Sequence, residues 1–129
     1  MAQMSILLME DNTLLRWWLT VSLIQQGFKV TAPATNHEFV DALDKETFDA
    51  LVTDCDLADC CDGFQVLSLT RQRNPRVLAI LISAQTDQDL PARAQAAGFN
   101  SFMPKPVSAR EIAETILGGQ LQKSAEVAL

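Results

Sequence analysis

Five short apolar segments recur along the chain, and their spacing restricts the possible folds more than any other feature. Most of them lack the alternation of apolar and polar residues that is typical of a sheet with one solvent-exposed face. They are therefore typical of strands that are buried on both sides. Strands of this kind belong to parallel sheets that are covered by helices on each face. The predicted strands are residues 5–9, 28–31, 50–53, 77–82 and 101–103.

Segments with helical periodicity separate these strands. Glycine and proline punctuate them, and Gly27 and Gly98 stand where helix C-terminal caps are expected. Asn36 is expected to cap the second helix, and Ser108 with Glu111 forms a capping-box pattern before the fifth. The predicted helices are residues 13–26, 38–45, 64–73, 87–97 and 109–117.

The regular alternation predicts an α/β chain of the (βα)5 type. Its five-stranded parallel sheet would be doubly wound, with right-handed crossovers and helices on both faces. The 129 residues suffice for one domain, which we place at residues 4–118. Gly118 and Gly119 are expected to end the last helix, so residues 119–129 are interpreted as a C-terminal tail or the start of a linker.

Two helices carry specific expectations about which side chains are buried. Trp18 fits the inward stripe of the first helix, and Val40 fits that of the second. Trp17 stands about 100° from Trp18 around the helix axis. We expect Trp17 to pack against a neighbouring helix, with a partner or dimer surface as the alternative.

Composition excludes several classes of function. The net charge of −6 argues against binding of nucleic acid by this domain, and no basic amphipathic segment predicts a membrane surface. No apolar run is long enough to span a bilayer, and the first residues lack the pattern of a secretory signal, so a cytoplasmic protein is expected. Cys55, Cys60 and Cys61 are interpreted as structural thiols in a reducing compartment rather than as a zinc site.

Charged and polar side chains gather where the predicted strands end. In parallel α/β sheets the carboxyl ends of the strands form the edge that carries function. Crowded carboxylates repel one another, and a divalent cation would remove that cost; oxygen-only ligands suit Mg²⁺. The residues at this edge are Glu10, Asp11, Asp54, Asp56, Ser83 and Lys105.

The predicted metal suggests phosphoryl chemistry. A carboxylate can act as the nucleophile that becomes an aspartyl phosphate, while a cation and a lysine neutralise the phosphoryl oxygens. Asp54 is the natural acceptor, because it ends the central strand between the other acids and Lys105. Ser83 would donate a hydrogen bond to one phosphoryl oxygen, although it could equally cap the following helix.

At this point the sequence resembles the response-regulator receiver domains of two-component signalling, a CheY-like, flavodoxin-like family. The resemblance covers about residues 4 to 118. No single motif is specific, but the order and spacing of the motifs on successive strand ends are. The motifs are MED at 9–11, LVTDCDL at 51–57, Gly63, ISA at 82–84 and FMPKP at 102–106.

The resemblance implies a role for each matching residue. Asp54 looks like the phospho-acceptor, and Lys105 like the lysine that pairs first with the acceptor and then with the phosphoryl group. Asp11 would bind Mg²⁺ directly and Glu10 through water, with Asp54 and the backbone carbonyl of Asp56 as further ligands; Mn²⁺ could substitute. Among the structural and switch positions, Ser83 resembles the switch hydroxyl, Phe102 the switch aromatic, Pro106 the cis-proline, and Gly63 the glycine after the acceptor loop.

The resemblance also implies partners and a mechanism. A histidine kinase or phosphotransfer protein donates the phosphoryl group, and the receiver catalyses its own phosphorylation and dephosphorylation. The surface of the fourth helix, fifth strand and fifth helix then changes and controls an effector domain or partner protein, with a homodimer as one possibility. Asp56 and Gln85, each two residues beyond a site residue, flank the path of the hydrolytic water and are hypothesised to set the phosphoryl lifetime.

The sequence departs from the family pattern at two positions, and two alternative functions stay open. The loop LADCCDG carries Ala58 where the family usually has a proline. Phe102 replaces the commoner tyrosine, and it could be an ordinary core residue rather than a switch. Asp54-Cys55-Asp56 also resembles the nucleophile motif of haloacid-dehalogenase-type phosphatases, which carry it on their first strand. A pseudo-receiver, a pure interaction module without phosphorylation, is the other alternative.

Overall fold

A computed structural model describes residues 3–57, 62–85 and 87–128, with residues 120–128 as backbone only. Strands and helices alternate strictly in these ranges, as the sequence predicts. The strands are β1 (Ser5–Met9), β2 (Lys29–Thr31), β3 (Ala50–Asp54), β4 (Leu78–Ser83) and β5 (Ser101–Pro104). The helices are α1 (Thr13–Gln25), α2 (Asn36–Lys45), α3 (Gly63–Arg73), α4 (Leu90–Ala97) and α5 (Ala109–Ala128).

The five strands form one parallel sheet in the order β2-β1-β3-β4-β5. The order reverses between β1 and β3, so the chain leaves these two neighbours toward opposite edges of the sheet. Such a switch point leaves a crevice at the carboxyl ends of the central strands. The acidic residues after β1 and at the end of β3 therefore meet at this crevice.

Consecutive strand residues enter two different cores, which explains the continuous apolar runs. In β1, Ile6 and Leu8 belong to a cluster that α1 and α5 complete, while Leu7 and Met9 belong to a cluster that α2, α3 and α4 complete. The helices therefore cover both faces of the sheet, and the predicted doubly wound architecture is confirmed. No helix in the described ranges is both long and apolar enough to cross a bilayer.

Several predicted helix ends are wrong. The cap of α2 is Thr35, whose hydroxyl accepts from the Glu38 backbone N–H, and not Asn36, which lies inside the helix. Helix α4 begins at Leu90 rather than at residue 87, although Gly98 does end it in the left-handed conformation. Gly118 and Gly119 do not stop α5, whose backbone stays helical to Ala128. The division of the chain at residue 118 into receiver and tail remains a prediction.

Three expectations about burial are also wrong. Trp18 is 43% exposed and Val40 is 45% exposed, so neither belongs to the core stripe of its helix. Trp17 is 61% exposed and is not covered by a neighbouring helix. Leu19 and Leu23, which the same helical spacing also predicts to face inward, are buried against the sheet.

Candidate functional site

The predicted site residues meet at the carboxyl edge of the sheet. Asp54 is the last residue of β3, and Glu10 follows β1 directly, so the paired strands bring their side chains together. Both are buried, whereas Asp11 and Asp56 lie exposed at the rim. The crevice thus has a buried acidic floor and an acidic edge that faces solvent.

Lys105 reaches into this floor from the loop after β5. Its Nζ lies 2.8 Å from Asp54 Oδ2, to which it donates a hydrogen bond, and 2.6 Å from Glu10 Oε1. Glu10 Oε1 has no other partner and is buried, and its contact with the ammonium lacks hydrogen-bond geometry. One ammonium group therefore serves two buried carboxylates and balances only one of them.

The ionisation of the floor reflects this imbalance. Burial raises the pKa of Asp54 above its ordinary value of 3.8, and the nearby Glu10 charge raises it further, against the lowering effect of the Lys105 hydrogen bond. Burial alone would lower the pKa of Lys105, but its contacts with the Asp54 and Glu10 carboxylates outweigh that effect and raise the pKa above 10.5. The site is thus held by a permanent cation and carries an excess of negative charge.

The turn from β1 into α1 fixes the position of Glu10. The backbone N–H of Asn12 donates to Glu10 Oε2 at 3.0 Å, while the Asn12 side chain caps α1 by accepting from Leu15. Arg16 donates from Nη1 to the Glu10 carbonyl at 2.8 Å. The sequence reasoning missed both residues, although an Asn just before a helix is an N-cap signal and Arg16 is the sole charge in α1.

The start of α3 packs against the acceptor strand. A β-carbon at Gly63 would overlap the backbone carbonyl of Asp54, so glycine is required by the close approach of the two segments. The Gly63 backbone N–H also donates to the Cys55 carbonyl at 2.9 Å. Asp62 caps α3 in a reciprocal capping box with Gln65, which fixes the far end of the acceptor loop.

The two residues predicted to flank the path of the hydrolytic water contact each other. Gln85 donates from Nε2 to Asp56 Oδ2, which joins the loop after β4 to the loop after β3. The Asp56 backbone N–H points at Asp54 Oδ1, 3.4 Å away. The pair therefore lies beside the acceptor carboxylate at the opening of the crevice.

Ser83 is buried at the end of β4, one strand from the acceptor. Its hydroxyl accepts from the Gln85 backbone N–H at 3.0 Å, and its carbonyl accepts from the Lys105 backbone N–H at 2.8 Å. The alternative role as a helix cap is wrong, because α4 begins seven residues later and Asp89 occupies the cap position. Ser83 instead joins the strand that carries it to the Lys105 loop.

The switch aromatic and the proline occupy β5 and its loop. Phe102 is half-buried, packs against the core cluster on the α2, α3 and α4 side, and lines a groove of about 240 Å³ between α4 and β5. The Lys105–Pro106 peptide bond is cis, as the family resemblance implies.

The cysteines are only partly described. Cys55 is a buried free thiol, and burial, with the negative charges of Asp56, Asp54 and Asp62, raises its pKa above 9.0. A thiol of this kind stays protonated at neutral pH and is a poor metal ligand. Cys60, Cys61, Ala58 and most of the unusual acceptor loop lie outside the described residues.

The donors at this site fit a small oxygen-seeking cation. The carboxylates outnumber the one ammonium group, Glu10 Oε1 lacks a hydrogen-bond donor, and burial together with the nearby Glu10 charge raises the pKa of Asp54. In the described ranges no three His, Cys, Asp or Glu side chains are grouped as a complete metal site. A cation here would therefore need a backbone carbonyl, water or phosphate oxygens beside the carboxylates, which is the arrangement that Mg²⁺ accepts.

Comparison with known proteins identifies the class that this fold and site define. The family model for the response regulator receiver domain matches residues 6–117, so the chain belongs to that family. The DNA-binding transcriptional regulator NtrC of Klebsiella pneumoniae is 30% identical over 99 residues, covering 77% of this chain and 21% of the regulator. The chain thus spans about a fifth of the length of this curated relative.

Solved structures agree on the fold. A CheY-like response regulator receiver domain protein from Methanospirillum hungatei superposes with a TM-score of 0.84 at 22% identity and covers 97% of this chain and 99% of its own. A response regulator protein from Burkholderia pseudomallei, with a phosphorylated aspartic acid, a calcium ion and citrate, gives 0.79 at 16% identity, covering 96% and 75%. At these identities the likeness establishes the receiver fold. The match to the receiver family excludes the phosphatase alternative, whose nucleophile motif belongs on a first strand, whereas here the motif lies at the end of β3.

Proposed function

We propose that this chain is a working receiver in which Asp54 accepts a phosphoryl group from a histidine kinase or a phosphotransfer protein. The single observation that carries the proposal is the buried contact set of Asp54, Glu10 and Lys105 at the switch point of the sheet. Burying two carboxylates with one ammonium is costly unless the site has a further cationic occupant. A receiver would supply that occupant, because it binds a metal ion beside its acyl phosphate.

The transfer needs little covalent chemistry from the protein. An Asp54 carboxylate oxygen attacks the phosphorus of a phosphohistidine, the new O–P bond forms as the N–P bond breaks, and the electron pair leaves with the imidazole nitrogen. Lys105 is already within 2.8 Å of Asp54 and can follow the charge that develops on the phosphoryl oxygens. Attack by water on phosphorus later releases inorganic phosphate and restores the carboxylate.

Mg²⁺, or Mn²⁺ in its place, is the proposed cofactor. When bound, the cation neutralises phosphoryl oxygens and the surplus of carboxylates. Asp11, Asp54 and the Asp56 carbonyl would hold it directly, and Glu10 would act through water. Glu10 is kept in place by Asn12 and Arg16, so its carboxylate is oriented before any cation arrives.

The proposed output is a change at the surface of α4, β5 and α5. Ser83 would turn its hydroxyl from the Gln85 N–H toward the phosphoryl group, and Phe102 would follow into the space that this movement leaves. Support comes from the half-buried ring of Phe102, which borders the groove between α4 and β5 rather than lying in a closed core. The changed surface would control an effector domain or a partner protein in the cytoplasm, a compartment consistent with the free thiol of Cys55.

Intact mass after incubation with acetyl phosphate tests this function. We expect one added phosphoryl group on the wild-type protein when Mg²⁺ is present, and none when a chelator removes the cation. Asp54→Asn should remain unmodified under both conditions. Asp56→Asn is the matched control, because it removes an exposed carboxylate two residues from the acceptor and should still be phosphorylated.

The same experiment separates the remaining alternative. If the wild-type protein takes up no phosphoryl group with Mg²⁺ at any concentration of donor, the chain is a pseudo-receiver and Asp54 is a structural acid. If Asp54→Asn is modified as fully as the wild type, the acceptor is another residue and the proposed roles of Lys105 and Ser83 lose their basis.

A further inference from the structure

Arg16 binds the backbone of the turn that carries the two acids after β1. Its Nη1 donates to the Glu10 carbonyl at 2.8 Å and, over a longer 3.5 Å, to the Asp11 carbonyl. Its backbone N–H donates to the Asn12 carbonyl at 2.8 Å, as the start of α1 requires. One half-buried residue of α1 therefore binds the carbonyls of all three residues that connect β1 to the helix.

These hydrogen bonds fix the backbone on both sides of Asp11. A peptide unit is planar, and the α-carbon of Asp11 joins the unit that contains the Glu10 carbonyl to the unit that contains its own. Holding both carbonyls therefore fixes the direction in which the Asp11 side chain leaves the backbone. Asp11 is exposed, so burial in the core does not hold it in place.

Helix α1 does not need the Arg16 side chain for its own start. The Asn12 side chain already caps the helix by accepting from the Leu15 backbone N–H at 2.9 Å. The carbonyls of Glu10 and Asp11 precede the helix, and water could serve the one on the exposed Asp11. Capping of α1 therefore does not explain why a guanidinium lies against these two carbonyls.

The charge of Arg16 has the wrong sign for a cation site. The guanidinium lies against the backbone of two proposed ligands of Mg²⁺, so it would repel the bound cation. If this repulsion were its main effect, removal of Arg16 would strengthen Mg²⁺ binding. If the orientation of the two acids matters more, removal of Arg16 would weaken Mg²⁺ binding instead.

We propose that Arg16 is a positioning residue for the cation, which acts by holding the backbone of Glu10 and Asp11 and not by its charge. The inference rests on the proposed function, since it requires the cation site at these acids. Its effect is confined to the affinity for the cation. Once the cation is bound, its bonds to the acids hold the turn, and phosphoryl transfer to Asp54 proceeds at the ordinary rate.

Calorimetric titration of the unphosphorylated protein with MgCl₂ tests the proposal. Arg16→Met removes the donor and the charge, and we expect it to raise the dissociation constant for Mg²⁺ by roughly tenfold or more, as is typical when a partner of a metal ligand is lost. Arg16→Lys keeps a charged donor on a shorter side chain, so its dissociation constant should lie between those of the wild type and Arg16→Met.

Thr20→Val is the matched control. The Thr20 hydroxyl donates to the Arg16 backbone carbonyl at 2.6 Å, so the variant also removes a bond from a side chain to the backbone of α1. It leaves the carbonyls of Glu10 and Asp11 untouched. We expect its dissociation constant for Mg²⁺ to equal that of the wild type.

The Mg²⁺ dependence of phosphorylation by acetyl phosphate gives a second measurement. The Mg²⁺ concentration that gives half the maximal rate should rise in Arg16→Met by the same factor as the dissociation constant. The rate at saturating Mg²⁺ should equal that of the wild type. A loss of rate at saturating Mg²⁺ with an unchanged dissociation constant would overturn the proposal, because Arg16 would then act on the transfer or on the fold.

The sign of the change in affinity decides the matter. Equal or tighter Mg²⁺ binding by Arg16→Met with native circular dichroism would overturn the proposal and leave the phospho-acceptor function intact. An affinity of Arg16→Lys no higher than that of Arg16→Met would also overturn it, and if Arg16→Met does not fold, an affinity of Arg16→Lys equal to the wild type would do so. A wild-type protein that binds no Mg²⁺ would remove the proposed cofactor and this inference together.

Discussion

The acidic crevice and the exposed apolar side of α1 are opposites in how they meet water. We call the latter the α1 outer face; it consists of Leu14, Trp17, Trp18, Val21 and Ile24. In the crevice, two carboxylates that share one ammonium group are buried away from water. The α1 outer face exposes two tryptophans and three aliphatic side chains to water. Arg16 links the two regions, since it belongs to α1 and holds the backbone of Glu10.

The difference between them teaches what each kind of occupant must supply. Carboxylates in excess call for a cation and a phosphoryl group, which are small, charged and held by a few directed contacts. An uncharged apolar helix face calls for a large surface of similar composition, held by area rather than by direction. Substitutions on the α1 outer face should therefore leave the chemistry of the crevice unchanged.

The largest effect is expected from removal of the ammonium. Lys105→Met should slow the phosphoryl uptake of Asp54 from acetyl phosphate by roughly 100-fold or more, since a charged donor aimed at developing negative charge is worth that much in comparable sites. Trp17→Glu should leave the rate unchanged. Samples quenched at successive times and analysed by intact mass give both rates. An equal loss of rate in the two variants would show that the crevice and the α1 outer face are not independent.

A smaller effect is expected from the residues at the mouth of the crevice. Gln85→Ala removes the donor to Asp56, so water should reach the acyl phosphate differently and the dephosphorylation rate should change by roughly two- to tenfold. The decay of phosphorylated protein after removal of the donor measures this rate. Exchange of Gln85 and of Asp56 with no change in either decay curve would remove both from any role in the phosphoryl lifetime.

The smallest effect concerns stability without metal. Because the pKa of Asp54 is raised in the folded state, its neutral form contributes stability below pH 3.8, and that contribution is lost as the pH rises through the folded pKa. Near pH 3 the free energy of unfolding of Asp54→Asn should therefore equal that of the wild type. Above the folded pKa of Asp54 the variant should be more stable, by roughly 1 kcal/mol. Thermal unfolding in a chelating buffer over pH 3–7 checks the sign, and a variant that is less stable at pH 7 would contradict it.

Much of the crevice could be predicted because its signals are local in the sequence. Asp54 and Glu10 each end an apolar strand, and parallel strands bring their carboxyl ends to one edge whatever the details of packing. The contact of Lys105 with both acids follows from the same rule. Asn12 and Arg16 were missed, since their roles act through backbone groups of a turn whose geometry the pattern does not specify.

The errors on α1 and α5 have a different origin. Helical periodicity places Trp18 near the core stripe, but α1 is apolar on both sides, so periodicity alone cannot say which side faces the sheet. Gly118 and Gly119 weaken a helix without ending it, and a fifth helix that packs beside α1 continues through them to Ala128. Packing against the sheet decides which side of α1 is buried, and no local signal carries that information.

Localisation of the phosphoryl group tests the central claim most directly. Reduction of the acetyl phosphate-treated protein with borohydride converts an aspartyl phosphate to homoserine, and tandem mass spectrometry then identifies the modified residue. We expect Mg²⁺-dependent homoserine at position 54 and at no other carboxylate. Homoserine at Asp11 or Asp56 with Asp54 intact, or none anywhere in protein that retains its fold, would contradict it.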